Sequence, residues 1–529
     1  MKAINLAVEL KGLAKSFGAV HANAGVDLRI RAGSIHGVVG ENGAGKSTAM
    51  KMLYGVYAPD SGEILVNGIS RSWRTPADAI RAGVGMVHQH FMLAGPYTVL
   101  ENIVLGTDCP PRAGVLGAWV RFLPRSLRSI DWAAARSRLD EIARQYKLPV
   151  DWDLPIDSLP VGIQQRVEIL KLLYRDAKIL ILDEPTAVLT PAETDALFVQ
   201  LRLLRDEGKT ILIITHKLRE VMSLTDRVTV FRAGRVTGEV ETSQTSPEQL
   251  AELMVGRKVL LRAEAPNAPP LGAPVLEVRG LSLEGATQGS RKKLDQVSFS
   301  VRSGEIVGIA GVEGNGQSEL IQAVFHPANS QCRSGGEVRV LGTDATQMTT
   351  SRIRGRGVGV IPEDRHREGL LLEFSVVENF ALGLHRRAPF RSAAGRIDWS
   401  ALRAATERAI ATYDIRPKNC DVAVGGLSGG NQQKLIIARE FEAQPKLLIA
   451  AQPTRGVDVG AIEFIHQQIF KARSEGAGVL LISSELDEVL ALSDRIFVMY
   501  EGRIAGEFAR GECTEHSLGM RMSGADVRE

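Results

Sequence analysis

The densest chemistry in the chain lies at Gly40-Glu41-Asn42-Gly43-Ala44-Gly45-Lys46-Ser47-Thr48, a G-x-x-x-x-G-K-[ST] run. Glycines at this spacing let the backbone turn tightly and bring bare N–H groups up to phosphate oxygens. A helix N-terminus behind them adds partial positive charge; Lys46 can reach β- and γ-phosphates, and the Ser47 hydroxyl can ligate Mg²⁺. The flanks suit that chemistry: Ser34-Ile35-His36-Gly37-Val38-Val39 reads as a short buried strand, and a helix is predicted from Thr48 to Leu53. On the motif alone, a Gly-rich turn with a solvated lysine remains a competing reading.

Further reactive types fall at strand ends. Asp183 and Glu184 directly follow the apolar run Ile179-Leu180-Ile181-Leu182. Carboxylates at the carboxyl end of a buried strand stand where α/β sheets place ligand chemistry. Asp183 suits Mg²⁺ ligation, directly or through water, and Glu184 suits acceptance of a proton from an attacking water. Adjacent acids also occur as a solvated turn. Here, however, Gln89 follows the strand-like Val84-Gly85-Met86-Val87, His216 follows Ile211-Leu212-Ile213-Ile214, and Leu427-Ser428-Gly429-Gly430-Asn431-Gln432-Gln433 precedes a helical stretch. His88 and His90 flank Gln89 as an H-x-H pair, but no third metal ligand is signalled nearby.

The elements that must position these groups come twice. Gly33-Ser34-Ile35-His36-Gly37-Val38-Val39-Gly40 returns as Gly304-Glu305-Ile306-Val307-Gly308-Ile309-Ala310-Gly311, 271 residues later. Ile130-Asp131-Trp132 returns as Ile397-Asp398-Trp399, and Phe231-Arg232-Ala233-Gly234-Arg235 as Met499-Tyr500-Glu501-Gly502-Arg503, at offsets of 267 and 268. A near-constant offset means duplication of a whole domain. The expected division is a first domain over 1–256, a Pro-rich linker over 257–274 and a second domain over 275–529. Continuous apolar runs point to parallel strands covered on both faces, hence an α/β core in each copy. Residues 110–128 and 385–396 are basic, Pro-interrupted and patchily apolar, suited to surface loops or to contact with a membrane face or partner.

Composition bounds the rest. The 529 residues carry 44% hydrophobic and 24% charged residues, an ordinary globular balance. Sixty-four Lys+Arg against 61 Asp+Glu give +3, too near neutral to argue for nucleic-acid binding. Cys109, Cys332, Cys420 and Cys513 form no CxxC, which excludes a cysteine-built zinc site or disulfide scaffold and suits a reducing cytosol. The opening apolar run is too short for a signal peptide, and no uncharged stretch reaches the length of a membrane span.

Taken together, these motifs resemble the ATP-binding cassette family across nearly the full chain, in two copies. The resemblance implies two tandem P-loop NTPase domains, each with an α/β core, an antiparallel β subdomain and a helical subdomain, using ATP and Mg²⁺. It implies phosphate contacts from residues 40–48, metal ligation by Ser47, Gln89 and Asp183, catalytic roles for Glu184, His216 and Gln89, and a signature at residues 159–165. Phe17, in Lys15-Ser16-Phe17-Gly18-Ala19-Val20, matches the aromatic that stacks on adenine; a core position in an N-terminal strand is the other reading.

Departures from the family pattern sort themselves. The second copy has Gln317 for the lysine, Ala451 and Gln452 for the two acids, Ser484 for His216, Glu363 for Gln89, and no aromatic over 281–289 to match Phe17. The first copy has a damaged signature, Leu159-Pro160-Val161-Gly162-Ile163. In the family the domains pair head to tail, each ATP lying between one domain's Walker motifs and the other's signature. That implies one intact site, joining Lys46, Ser47, Gln89, Asp183, Glu184 and His216 to Ser428, Gly429, Gly430, Asn431 and Asp458. A second, degenerate site would join Gln317, Ala451, Gln452 and Ser484 to residues 160–163 and Thr190. Ile361-Pro362-Glu363-Asp364-Arg365-His366-Arg367-Glu368-Gly369-Leu370 looks like the simple-sugar and nucleoside importers, and residues 87–93 and 162–171 lean toward the nucleoside branch.

The expected protein is therefore the ATPase of an uptake transporter, peripheral on the cytoplasmic face of a bacterial inner membrane. It would dock on two different permease chains near Gln89 and Glu363 and act through them with an extracytoplasmic solute-binding protein. The alternative is a soluble tandem-cassette ATPase acting on ribosomes. That reading calls for two intact sites, a long charged linker and a basic surface.

Overall fold

The computed structural model describes residues 5–18, 20–89, 91–107, 130–186, 189, 191–258, 269–284, 292–312, 314–329, 333–392, 395–522 and 524. Residues 110–128, His90, Thr190, Glu313, Cys109, Cys332 and most of the expected linker lie outside them. The chain divides into two compact units, Met1–Val259 and Leu260–Glu529.

In the first unit the strands are β1 (Leu6–Phe17), β2 (Val20–Arg31), β3 (Ile35–Gly40), β4 (Ser61–Val66), β5 (Ile69–Arg71), β6 (Val84–Val87), β7 (Ile179–Asp183), β8 (Thr210–Ile214), β9 (Arg227–Arg232) and β10 (Arg235–Glu241). One sheet runs β10-β9-β3-β8-β7-β6 and another β2-β1-β4-β5. The first is parallel from β9 to β6, with β10 antiparallel on its edge; the second is antiparallel throughout.

Every residue of β3, β7 and β8 is buried, because both faces of the parallel sheet are covered. Side chains alternate across it. Leu180, Leu182, Ile211 and Ile213 pack into the layer with Leu139, Val167, Leu170 and Leu201 of the helices. Ile179, Ile181, Leu212 and Ile214 pack with Val8, Leu28 and Met50 on the side of the antiparallel sheet. Each fully buried Leu or Ile contributes about 1.5–3 kcal/mol, and this two-sided burial holds the strand ends, and so the site, in place.

The second unit repeats the design. Its strands are β11 (Pro274–Leu283), β12 (Leu294–Arg302), β13 (Ile306–Ala310), β14 (Arg333–Val340), β15 (Thr343–Asp344), β16 (Val358–Ile361), β17 (Leu447–Ala451), β18 (Gly478–Ser483), β19 (Arg495–Tyr500) and β20 (Arg503–Ala509). They assemble as β16-β17-β18-β13-β19-β20 and β12-β11-β14-β15, the orders of the first unit. The repeated Ile-Asp-Trp opens a helix both times: Asp131 caps Trp132–Gln145 through Ala134 N–H, and Asp398 caps Trp399–Thr412 through Ala401 N–H.

The basic stretch after His385 packs down rather than standing out. Phe390 and Leu384 enter the core of the helical layer, and Arg387 donates to the carbonyls of Ala443 and Arg354. Among the described residues no helix is long and apolar enough to cross a membrane.

Candidate functional site

The phosphate loop leaves the C-terminal end of β3 and feeds the helix Lys46–Leu53, which starts two residues earlier than the predicted Thr48. Gly45 sets that start: it stands at φ 97° as the N-cap, so the helix begins as soon as the left-handed residue is passed. Its close neighbours exclude a side chain, since a Cβ there would lie 2.4 Å from the Ala22 carbonyl oxygen. At Gly40 a Cβ would stand 2.3 Å from the Phe231 carbonyl oxygen. The loop is thus wedged between β9 and β2. Lys46 folds over it, Nζ donating to the carbonyls of Gly40 at 2.7 Å and Glu41 at 2.9 Å. Burial pulls the ammonium below its ordinary pKa, against the opposing charges of Glu184, Asp183 and Glu41.

Three strand ends bring the remaining groups together. Glu184 follows β7 in the left-handed region at φ 48°, its N–H bonded to the Ile214 carbonyl of β8. Its carboxylate is held on both oxygens: His216 Nδ1 lies 2.8 Å from Oε1, and Gln89 Nε2 donates to Oε2 at 3.0 Å. Burial alone would raise this carboxyl, but the His216 hydrogen bond and charge, with Lys46 and Lys217, carry it below the usual range. Asp183 is pushed up instead, by burial first and by Glu184 second, while the Ser47 hydroxyl hydrogen-bonds it. The two adjacent acids are driven apart, Glu184 below and Asp183 above the ordinary carboxylate range.

Ser47 and Asp183 offer hard oxygen donors, the set that suits Mg²⁺ shared with phosphates. No group of three or more His, Cys, Asp or Glu able to hold a metal occurs among the described residues, so a bound cation would share its coordination with the nucleotide. His88 is half-buried, packing edge-on against Tyr54 at 5.8 Å. Phe17 ends β1 and is 45% exposed, which removes the core reading for it. Tyr57 meets the Phe17 ring edge-on at 5.2 Å.

A family profile described as ABC transporter matches residues 24–187 and again 294–455. Over 533 residues the chain is 45% identical to a glucose import ATP-binding protein of Haloferax volcanii, covering 98% of this chain and 96% of that one. The chain belongs to the ABC transporter family. It is also 43% identical over 522 residues to a nucleoside import ATP-binding protein of Lactococcus lactis, covering 99% of each. The crystal structure of an archaeal ribosome recycling factor with a ribosomal stalk protein matches 94% of this chain and 90% of its own, with TM-score 0.60 at 19% identity, a likeness of fold alone. As an ABC ATPase the chain binds and hydrolyses ATP.

The ABC second unit keeps the frame and changes the groups. Gln452 has φ 45° and an N–H bonded to the Ile482 carbonyl, the backbone of Glu184 repeated, yet its Oε1 accepts from the Ser484 N–H and hydroxyl. The signature turns differ in the same way. Ser428 caps the helix Gly429–Glu442 through Asn431 N–H, and Asn431 Nδ2 returns a bond to Ser428 Oγ at 2.8 Å. Pro160, heading Val161–Tyr174, has no side-chain cap.

Several supporting residues escape sequence reasoning. Thr186 and Thr215 both donate to Glu220, which burial raises, under the turn that carries His216. Glu168 accepts from Met92 N–H and Lys171 donates to its carbonyl, so one helix grips the segment after Gln89 at both ends of a residue. Only the i, i+3 spacing of Glu168 and Lys171 on a helix hinted at a shared target. Tyr57, far from Phe17 in sequence, gave no sign at all.

Proposed function

We propose that this chain is the ATP-hydrolysing subunit of an uptake transporter, that its solute is a nucleoside, and that all hydrolysis occurs on nucleotide held by the first unit. What carries the reading is the Glu184 carboxylate gripped by His216 and Gln89, against Gln452 bonded to Ser484 at the equivalent place. Glu184 accepts the proton of the attacking water, His216 contacts the γ-phosphate, and Lys46 and the loop amides hold the phosphates. Ser47 and Asp183, with Gln89, would hold Mg²⁺, which would supply charge neutralisation to the phosphates. Ser428, Gly429, Gly430 and Asn431 form the intact signature turn, Ser428 capping its helix where the first unit has Pro160. Phe17, steadied by Tyr57, stacks on adenine.

The subunit sits on the cytoplasmic face of the membrane, docked on permease chains that engage an extracytoplasmic solute-binding protein. The amide Gln89 and the acid Glu363 present different chemistry, which favours two different permease chains. Nucleoside transport is supported by the motif at residues 87–93 and the nucleoside import relative; the glucose import relative supports a hexose as the second reading. Uptake of labelled nucleosides and sugars after gene deletion, with co-purification from membranes, tests both points. Lost sugar uptake with intact nucleoside uptake overturns the solute; recovery on ribosomes without a permease overturns the transporter.

A further inference from the structure

We propose that Arg365 is a positioning residue for ATP hydrolysis: its guanidinium locks the signature turn of the second unit to the turn that follows β17, so that the two stand as one block. The segment that carries it leaves β16 with Glu363, which accepts from the hydroxyl of Ser318, the counterpart of Ser47, at 2.7 Å. Asp364 then caps a wide helical turn, Arg365–Gly369, its carboxylate accepting from the His366 and Arg367 N–H groups. From the head of that turn Arg365 reaches two other elements. Its Nε donates to Gln432 Oε1 at 3.3 Å, Nη1 to the Arg455 carbonyl at 2.8 Å and Nη2 to the Gly456 carbonyl at 3.3 Å. Gln432 is buried in the first turn of the helix Gly429–Glu442, and residues 455 and 456 lie in the turn after β17. The fit is close. A Cβ on Gly429 would lie 2.8 Å from Arg365 Nη2 and 3.0 Å from the Gly456 carbonyl oxygen, so the signature turn rests on both.

Three charge-assisted bonds from one planar group fix an orientation that a point charge cannot. Neighbouring side chains fasten the same parts. His366 Nε2 lies 2.9 Å from Gln432 Oε1, Gln432 Nε2 donates to the Val424 carbonyl, and Gln433 Nε2 donates to the Pro453 carbonyl at 2.8 Å. Further along the same helix, Arg439 donates to the Gly369 carbonyl at the end of the wide turn. The first unit is built otherwise. Phe91 stands two residues after Gln89, where Arg365 stands two residues after Glu363, and a phenyl ring donates no hydrogen bond. Gln164, the counterpart of Gln432, turns its amide back to the Leu159 and Ile156 carbonyls. Gln165, the counterpart of Gln433, is buried with no partner for Nε2 among the described residues. Among those residues, then, the clamp accompanies the intact signature and is missing beside the damaged one.

The inference rests on the proposed reading in which the intact signature turn takes part in hydrolysis; Glu184→Gln turnover tests the hydrolytic reading apart, and the exchange measurement below does not depend on it. The experiment compares Arg365→Lys, which keeps the charge and most of the stem but cannot fork, with Arg367→Ala, which removes an exposed arginine two residues on. Hydrogen exchange of the full chain, read by mass spectrometry, should quicken about tenfold or more in Arg365→Lys at residues 428–431 and 453–458 and stay unchanged over 40–48. Assembled with the permease, Arg365→Lys should lower kcat about tenfold with KM for ATP unchanged, because a turn out of place slows the reaction without loosening the phosphate loop of the first unit. Arg367→Ala should match the parent in both measurements. Parental exchange at the two turns of Arg365→Lys overturns the proposal, as does quickened exchange with parental kcat. A fall in kcat with equal quickening over 40–48 overturns it too, since that marks a general loosening of the chain.

Discussion

At the scale of single residues, the proposed hydrolysis turns on Glu184, and its environment makes two outcomes predictable. Glu184→Gln removes the acceptor but leaves Lys46 and the loop amides, so turnover should fall about 10²–10⁴-fold while ATP binding stays. Gln452→Ala should leave steady-state turnover nearly unchanged. The second outcome concerns pH. Burial raises the Glu184 carboxyl and His216 lowers it, with the lowering in the lead. The base form is thus present further into the acid range than for an ordinary glutamate. In His216→Ala only burial and the weaker charges remain, so the pKa rises and the acid limb of kcat/KM should move to higher pH. A limb that stays where it was would mean Glu184 is not the group being titrated. Sequence spacing placed Gln89, Glu184 and His216 after strands; that Gln89 and His216 share the Glu184 carboxylate was not legible, since the three residues come from three different strand ends.

At the scale of elements, the phosphate loop shows which glycines are structural necessities. Gly43 and Gly45 both have positive φ, but a Cβ on Gly43 meets nothing within 4 Å while one on Gly45 collides with Ala22 and Asn23. Gly43→Ala should cost only the backbone strain, about 1 kcal/mol. Gly45→Ala adds overpacking worth about 1–3 kcal/mol more and misplaces the helix start, weakening ATP as well. Chemical denaturation and ATP titration of the two variants check this; equal losses would mean that the contact with β2 is unimportant. The motif already separates them, since Gly45 is its second fixed glycine and Gly43 falls at one of its four open positions; the neighbours across the fold supply the reason.

At the scale of the whole molecule, the two units have one topology and opposite defects. Substitutions in the signatures should therefore act unequally. Gly429→Asp places a carboxylate in the intact signature turn beside Arg365, whose Nη2 would lie 2.8 Å from the new Cβ; hydrolysis should stop. Gly162→Asp meets Glu193 Oε1, 2.3 Å from the new Cβ, a flexible side-chain end that can swing aside, and its turn already lacks a cap. It should cost much less. ATPase rates of both variants, assembled with the permease, check this, and equal losses would mean hydrolysis at both loops.

The sequence by itself determined the duplicated α/β plan, the phosphate loop, the acids at Asp183 and Glu184 and the unequal losses between copies, because each is written in short, local patterns: a motif, an apolar run, a constant offset. Only the tertiary structure decided which atoms meet. Phe17 turned out exposed beside Tyr57, Lys46 was folded onto its own loop, and Ser318 had changed partner from a strand-end acid to Glu363. Lys46 meets Gly40 six positions away and Ser318 meets Glu363 45 positions away, and both contacts follow from how the loops leave the strand ends, which a linear pattern does not contain.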